Sequence, residues 1–273
     1  MHLKKPIPLI LSFVLLISCN NQTNTDHSNH KDSVITSNPV SELEKKIGND
    51  TLAADSLRAG LVEKLVETNQ VDKAISQIDL LLKKQPGNPA YLFMKADAME
   101  RKSDTMNAIQ YFEQAITAAG SFLDAELRLA HLYAETGNPN TIKLCDDMLK
   151  QATAIKFRSD ILHIKGIYYV KKNDSKNALR MYNQIIKEDY TYLDAYIEKG
   201  LIYYDQQQFE QAHKIFALST NIKNSFADGY FWMAKTEEKL NKKEEAINNY
   251  KRALALDQSI DEAKDALKRL GAL

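Results

Sequence analysis

A small residue recurs along this chain at a spacing of 34 residues. It is alanine in five places, at successive intervals of 34, 70, 34 and 34 residues: Ala74, Ala108, Ala178, Ala212 and Ala246. A bulky apolar residue follows each alanine one helical turn later: Ile78, Phe112, Tyr182, Phe216 and Tyr250. The long interval holds one additional, 36-residue unit. A period of this length indicates a stack of similar supersecondary units, because each unit needs its neighbours to cover its apolar face.

A second column of small residues precedes the alanine column by 12 positions. Its members are Val62, Ala96, Ala130, Gly166, Gly200 and Ala234. Small side chains in both columns allow two helices to approach closely. Apolar residues recur at helical spacing around them, and breaks occur near Gly137, Asn173 and Asn241. No segment alternates with period two for long enough to indicate a strand, so the expected fold is all-α.

These columns resemble those of tetratricopeptide repeats over residues 55–260. The resemblance implies a right-handed superhelical solenoid of about six helical hairpins. The expected units are residues 55–88, 89–122, 123–158, 159–192, 193–226 and 227–260. We expect a short leading helix within residues 41–54, and a capping helix within residues 261–273 whose apolar side covers the last hairpin. The chain departs from the family pattern where Arg58 and Glu126 replace the usual aromatic residue.

The third unit is irregular. Its sequence Gly137-Asn138-Pro139-Asn140 interrupts the pattern, and the 34-residue register would place Ile142 and Asp146 in the two packing columns. An alternative register through Thr141, Cys145 and Met148 gives a more apolar stripe. We therefore leave the boundaries within residues 140–158 open and expect a kink or an altered superhelical pitch there.

The N-terminus has the features of an export signal. Lys4 and Lys5 precede an apolar run over residues 7–17, which is too short to span a bilayer. The sequence Leu16-Ile17-Ser18-Cys19 resembles the cleavage site of bacterial lipoproteins, although an ordinary secretory signal ending near a cysteine is the alternative. The resemblance implies removal of residues 1–18 and a lipid on Cys19 that tethers the protein to a membrane.

Residues 19–40 are expected to form a flexible linker, because they are polar and lack apolar periodicity. The residue after the cysteine is Asn20 and not aspartate. By resemblance to other lipoproteins, this favours an outer-membrane anchor facing the periplasm of a bacterial envelope. If Cys19 carries lipid, Cys145 has no disulfide partner in the chain. We interpret Cys145 as a small core residue, with a redox-sensing thiol as the alternative.

Sequence motifs for chemistry are scarce. His27 and His30 lie in the linker without the further ligands of a metal site. The chain has no phosphate-binding Gly-rich loop and no GxSxG or HExxH motif, so we predict no catalytic residue, no cofactor and no metal. Removing residues 1–18 leaves 34 basic and 36 acidic side chains, and no concentrated basic face is evident. This balance argues against nucleic acid as a partner.

Function is therefore expected from the concave groove, which in the resembled family is lined mainly by the first helix of each hairpin. The candidate groove residues are Phe93, Leu127, His163, Ile167, Ile197, Leu201, Tyr204, Phe231, Trp232 and Lys235. Such a surface suits an extended or helical peptide with several apolar anchors. The alternative for each residue is packing inside the solenoid or against the C-terminal cap.

Aspartate recurs at the second position of four units. These residues are Asp124, Asp160, Asp194 and Asp228. They form either an acidic stripe that selects basic ligands or helix-start carboxylates that face the positive end of the helix dipole, and the sequence favours the second interpretation.

The sequence thus predicts a membrane-tethered scaffold or adaptor that binds peptide segments or protein partners in the bacterial envelope. A structural subunit of a secretion, pilus or motility assembly is the alternative. A small-ligand receptor or an enzyme is the third hypothesis.

Overall fold

The computed structural model describes residues 39–49 and 54–273, and all regular secondary structure within these residues is helical. The predictions for residues 1–18, for Cys19 and for most of the linker predicted over residues 19–40 concern residues outside this range, whereas the last two linker residues, Pro39 and Val40, lie in the first helix. The α-helices are α1 (Pro39–Asn49), α2 (Ala54–Glu67), α3 (Val71–Lys84), α4 (Pro89–Arg101), α5 (Thr105–Ala119), α6 (Leu123–Thr136), α7 (Asn140–Leu149), α8 (Arg158–Lys171), α9 (Ser175–Glu188), α10 (Leu193–Asp205), α11 (Phe209–Ile222), α12 (Ala227–Lys239), α13 (Lys243–Leu256) and α14 (Asp261–Leu270). A short 3₁₀ helix, Ala152–Phe157, separates α7 from α8.

Consecutive helices pack in pairs. The hairpins are α2 with α3, α4 with α5, α6 with α7, α8 with α9, α10 with α11, and α12 with α13. The second helix of each hairpin also packs on the first helix of the next, so the hairpins form a continuous stack. The expected all-α solenoid of six hairpins with a C-terminal capping helix is confirmed.

The small-residue columns lie where paired helices meet. All five alanines of the first column are completely buried. A Cβ atom placed on Gly166 would lie 2.6 Å from the ring of Tyr182, and one placed on Gly200 would lie 2.6 Å from Cζ of Phe216. Gly166 and Gly200 therefore each make room for an aromatic ring on the second helix of the same hairpin.

The turns inside the hairpins use one backbone conformation. Five of them contain a non-glycine residue with positive φ between 57° and 61°: Asn69, Ser103, Asn173, Gln207 and Asn241. Asparagine tolerates this left-handed conformation better than most residues. In two hairpins the next residue, Asp104 or Asp174, accepts a hydrogen bond from a backbone N–H in the first turn of the second helix. The turn and the start of the second helix are thus fixed together.

The third hairpin follows the alternative register. Thr141, Cys145 and Met148 are completely buried, whereas Ile142 and Asp146 are partly exposed. Helix α7 has only 10 residues, and the 3₁₀ helix takes up the rest of the unit. Helix α6 consequently packs directly against α8, in addition to its contact with α7.

Both ends of the stack carry an additional helix. Val40 of α1 is buried in one apolar cluster with Leu61 and Leu65 of α2. At the other end, the buried residues Ala263, Ala266 and Leu267 of α14 join the core of the last hairpin. The two helices cover apolar faces that the first and last hairpins would otherwise expose.

Candidate peptide-binding groove

The ten candidate groove residues differ in their exposure. Four are buried, with exposed fractions of 1–8%: Leu127, His163, Leu201 and Phe231. Six are partly exposed: Phe93, Ile167, Ile197, Tyr204, Trp232 and Lys235. Phe231 belongs to the core that the last hairpin shares with α14. The accessible apolar surface therefore comes from the partly exposed residues, while the buried ones hold the helices in place.

Trp232 lies at the centre of an aromatic group. Its ring centroid is 5.4 Å from that of Phe231 and 6.0 Å from those of Tyr204 and Phe216. The ammonium of Lys235 lies 4.9 Å from the centroid of the indole ring. Ring contacts of this kind reduce the freedom of a side chain before any ligand binds. Trp232 is thus a rigid and partly exposed apolar anchor.

One cluster of charges in the N-terminal half of the stack is paired within the protein. The guanidinium of Arg128 in α6 lies 2.9 Å from a carboxylate oxygen of Asp97 and 2.6 Å from one of Glu100, both in α4. Asp97 also accepts a hydrogen bond from Arg101 at 2.8 Å. Burial lowers the pKa of the neighbouring His131. Asp97 and Glu100 therefore already have cationic partners.

Three carboxyl groups on α8 and α10, in the C-terminal half of the stack, have raised pKa values. Burial raises the pKa of Asp160, and it also raises the pKa of Asp194, with the charges of Asp228 and Asp160 adding to the effect. Burial raises the pKa of Glu198 to about 7, and the charges of Asp194 and Asp205 contribute in the same direction. Asp160 accepts a hydrogen bond from the hydroxyl of Tyr192 at 3.0 Å.

The recurring aspartates are not explained by helix starts alone. Burial is the first cause of the raised pKa of Asp124, Asp160 and Asp194, whereas interaction with a helix N-terminus favours the ionised carboxylate. By solvent exposure, Asp124 and Asp160 are partly buried, whereas Asp194 is exposed. The charges of Asp160 and Asp228 also raise the pKa of Asp194, so the aspartates of neighbouring units lie close enough to repel one another.

Sequence reasoning did not identify Glu198. It occupies a position that the groove columns omitted, between the candidate residues Ile197 and Leu201. The available signal was its spacing of four residues from Asp194, since residues i and i+4 share one face of a helix. Its perturbed pKa depends on burial, which the spacing does not reveal.

His163 is an enclosed neutral side chain. Its ring centroid lies 5.8 Å from that of Tyr182 and 5.7 Å from that of Tyr192. Burial lowers its pKa to about 4, with a further effect from His131. Neither ring nitrogen of His163, nor the hydroxyl of Tyr182, has a hydrogen-bond partner among the described residues. His163 is therefore uncharged at neutral pH and lies beneath the groove surface.

The described residues contain neither a cluster of metal ligands nor a membrane-spanning helix. Within residues 39–49 and 54–273, no group of three or more His, Cys, Asp or Glu side chains is arranged to hold a metal ion. None of the helices in these ranges combines the length and the apolar character needed to cross a membrane.

Family models support the repeat assignment independently. A model described as "Tetratricopeptide repeat" matches residues 60–124 and 165–219, and a second model with the same description matches residues 227–260. Together they cover more than half of the 273 residues. The unmatched stretch between residues 124 and 165 contains the irregular third hairpin.

Solved structures share the fold at low sequence identity. A tetratricopeptide repeat protein from Parabacteroides merdae ATCC 43184 is similar with a TM-score of 0.68 and 15% identity, over 85% of this chain and 91% of that one. PilW, described as a widely conserved type IV pilus biogenesis factor, is similar with a TM-score of 0.63 and 16% identity, over 78% of this chain and 98% of that one. These similarities concern the fold.

Proposed function

We propose, because this chain belongs to the tetratricopeptide-repeat family, that it is a scaffold or adaptor that binds an extended or helical peptide segment of a partner protein. Proteins of this family are generally non-enzymatic scaffolds that bind protein or peptide partners. The observation that carries the proposal is the partly exposed Trp232, held by surrounding rings beside Tyr204. A rigid aromatic side chain at an accessible position is typical of residues that dominate protein interfaces.

The binding surface that we propose lies on the first helices of the last three hairpins, α8, α10 and α12. Ile167, Ile197, Tyr204 and Trp232 supply its apolar part. Three successive first helices offer anchors at intervals along the stack, and a peptide with several apolar residues contacts more than one of them.

We also propose that a lipid on Cys19 tethers this scaffold to a bacterial membrane, with an outer-membrane position facing the periplasm. The support is the sequence order of Lys4 and Lys5, a short apolar run, and Leu16-Ile17-Ser18-Cys19. Replacing Cys19 with serine is expected to release the protein into the soluble fraction of fractionated cells. Retention of Cys19→Ser in the membrane fraction would reject the lipid anchor.

A photoreactive amino acid tests the proposed groove. Placed at Tyr204 in the full-length protein and activated in intact cells, it is expected to crosslink a partner that mass spectrometry can identify. The matched control is the same group at Leu218, an apolar residue of α11 that is 47% exposed. The Trp232→Ala variant is expected to remove the Tyr204 adduct. Equal labelling from both positions, or an adduct unaffected by Trp232→Ala, would contradict the groove assignment.

A structural subunit of an envelope assembly is the second candidate. It is supported by the similarity in fold to PilW, whose description names a role in type IV pilus biogenesis. Purification in detergent separates the two candidates. A permanent subunit is expected to copurify with fixed partners in constant proportion, whereas an adaptor dissociates from its partner on dilution.

A further inference from the structure

One face of α10 carries apolar and acidic side chains in alternation. Glu198 follows Asp194 by four residues, Leu201 follows Ile197 by four, and Asp205 follows Leu201 by four. Residues at these spacings lie along one side of a helix. Asp194 on this side lies near Asp160 of α8 and Asp228 of α12, since the charges of these two aspartates raise its pKa.

The carboxylates of this face lack compensation from the protein. Among the described residues, neither Asp194 nor Glu198 forms a hydrogen bond or an ion pair, and no cationic side chain contributes to their pKa values. The charge of Glu198 raises the pKa of the buried Tyr182, yet the hydroxyl of Tyr182 donates to no acceptor in the part of the chain that the structure describes. The nearby phenol thus leaves the carboxylate unsatisfied.

In the N-terminal half of the stack, by contrast, one cluster of carboxylates has a cationic partner. There, Asp97 and Glu100 are held by the guanidinium of Arg128. No equivalent arginine stands at the matching position of the last three hairpins, where Ile164, Glu198 and Trp232 occupy the place of Arg128. Glu198 is partly buried, whereas Asp194 is exposed. A partly buried carboxylate without a cation is unfavourable, so a cation supplied from outside would relieve that penalty at Glu198, and the adjacent charge of Asp194 would add to the attraction.

On the basis of the peptide-binding function proposed above, we propose that the α10 face of the groove selects a peptide segment carrying lysine or arginine between its apolar residues. Ile197, Tyr204 and Trp232 receive the apolar side chains, and Asp194 and Glu198 receive the cationic ones. An ammonium or guanidinium group donates the hydrogen bonds that these carboxylates lack. A metal ion is a poorer occupant, because no group of three ligands exists in the described part of the chain.

Three synthetic peptides test this selection. Each is ten residues long with leucine at alternating positions, and the intervening residues are lysine, serine or glutamate. Binding of the fluorescently labelled peptides to the full-length protein in detergent is measured by fluorescence anisotropy at low and physiological salt. We expect the lysine peptide to bind at least tenfold more tightly than the serine peptide, and the glutamate peptide to bind most weakly. The preference is expected to decrease at higher salt.

Variants test whether the carboxylates of Asp194 and Glu198 cause the preference for the lysine peptide. The near-isosteric double variant Asp194→Asn with Glu198→Gln is expected to lose most of the preference for lysine while keeping its affinity for the serine peptide. Glu63→Gln, which removes an exposed carboxylate of α2, is the control and is expected to change nothing. Trp232→Ala is expected to weaken the binding of all peptides.

The outcomes separate the two proposals. Equal binding of the three peptides, or an unchanged lysine preference in the double variant, rejects selection of a cationic segment and leaves peptide binding intact. If the folded protein binds none of the three peptides, both the selection and the peptide-binding function on which it rests are rejected.

Discussion

The partly buried carboxyl group of Glu198 predicts a specific dependence of stability on pH. Its pKa is about 7 in the folded protein, against an ordinary value of 4.5. Below about pH 4.5 the group is protonated in both the folded and the unfolded chain, so it does not affect the free energy of unfolding. As the pH rises from there to above 7, the unfolded chain releases this proton more readily, and folding is increasingly disfavoured.

The magnitude follows from the pKa difference. A change from 4.5 to about 7 corresponds to roughly 3 kcal/mol. Because the side chain retains some contact with solvent, we expect the actual penalty to be about 1–3 kcal/mol. The substitution Glu198→Gln keeps the size of the side chain and removes its ionisation. The variant is therefore expected to be more stable than the original protein by about 1–3 kcal/mol at pH 8.5 and equally stable at pH 4.

Thermal denaturation followed by circular dichroism measures this difference. For a chain of this length, 1 kcal/mol corresponds to a shift of roughly 2–4 °C in the melting temperature. Glu63→Gln serves as the matched control, since Glu63 is an exposed glutamate within α2. A Glu198→Gln shift of equal size at both pH values would indicate a packing effect without ionisation. A loss of stability at pH 8.5 would refute the assignment of an uncompensated carboxylate.

Two further predictions concern packing. Gly200→Ala is expected to lower the free energy of unfolding, measured in urea, by about 1–3 kcal/mol, because the new Cβ would overlap the ring of Phe216. Gly60→Ala places its Cβ in open space, so it is expected to raise the free energy of unfolding by about 0.5–1 kcal/mol. Similar effects of the two changes would contradict the packing of Gly200 against Phe216. The thiol of Cys145 is completely buried and its pKa is raised to about 12, so it is expected to react with a thiol reagent only after unfolding. Rapid labelling of the folded Cys19→Ser variant would show that Cys145 is accessible.

The fold was predictable because its repeat appears directly in the sequence. A small residue at Gly200 and a ring at Phe216 report a close helix contact, and the 34-residue spacing reports the stacking of hairpins. The third unit was less predictable, since a short helix followed by a 3₁₀ segment has no fixed period. Its apolar stripe through Cys145 and Met148 nevertheless indicated the observed register.

The groove was less predictable because a helical position defines a face but not its depth. Phe231 and Trp232 are adjacent in sequence, yet Phe231 is buried in the core shared with α14 while Trp232 remains partly exposed. Likewise, the sequence gives no direct sign that Glu198 is enclosed. Both properties depend on how neighbouring hairpins and the capping helix close around each side chain, which is set by packing among residues distant along the chain.

The positions of compensating charges in the stack say more about its binding preference than the total charge of the chain does. The whole chain has equal numbers of basic and acidic residues, so its composition indicates no preference for charged partners. Within the groove, however, Arg128 compensates Asp97 and Glu100, whereas Glu198 has only acidic neighbours among the charged residues that affect its pKa. A cationic side chain from a partner would compete with Arg128 for Asp97 and Glu100. At Glu198 it would meet no competing cation among the described residues that affect the pKa of this group. The selection that we propose therefore depends on the lack of a compensating cation at Glu198 itself, since other carboxylates of the C-terminal half are paired, as Glu188 is with Arg158 and Glu262 with Lys235.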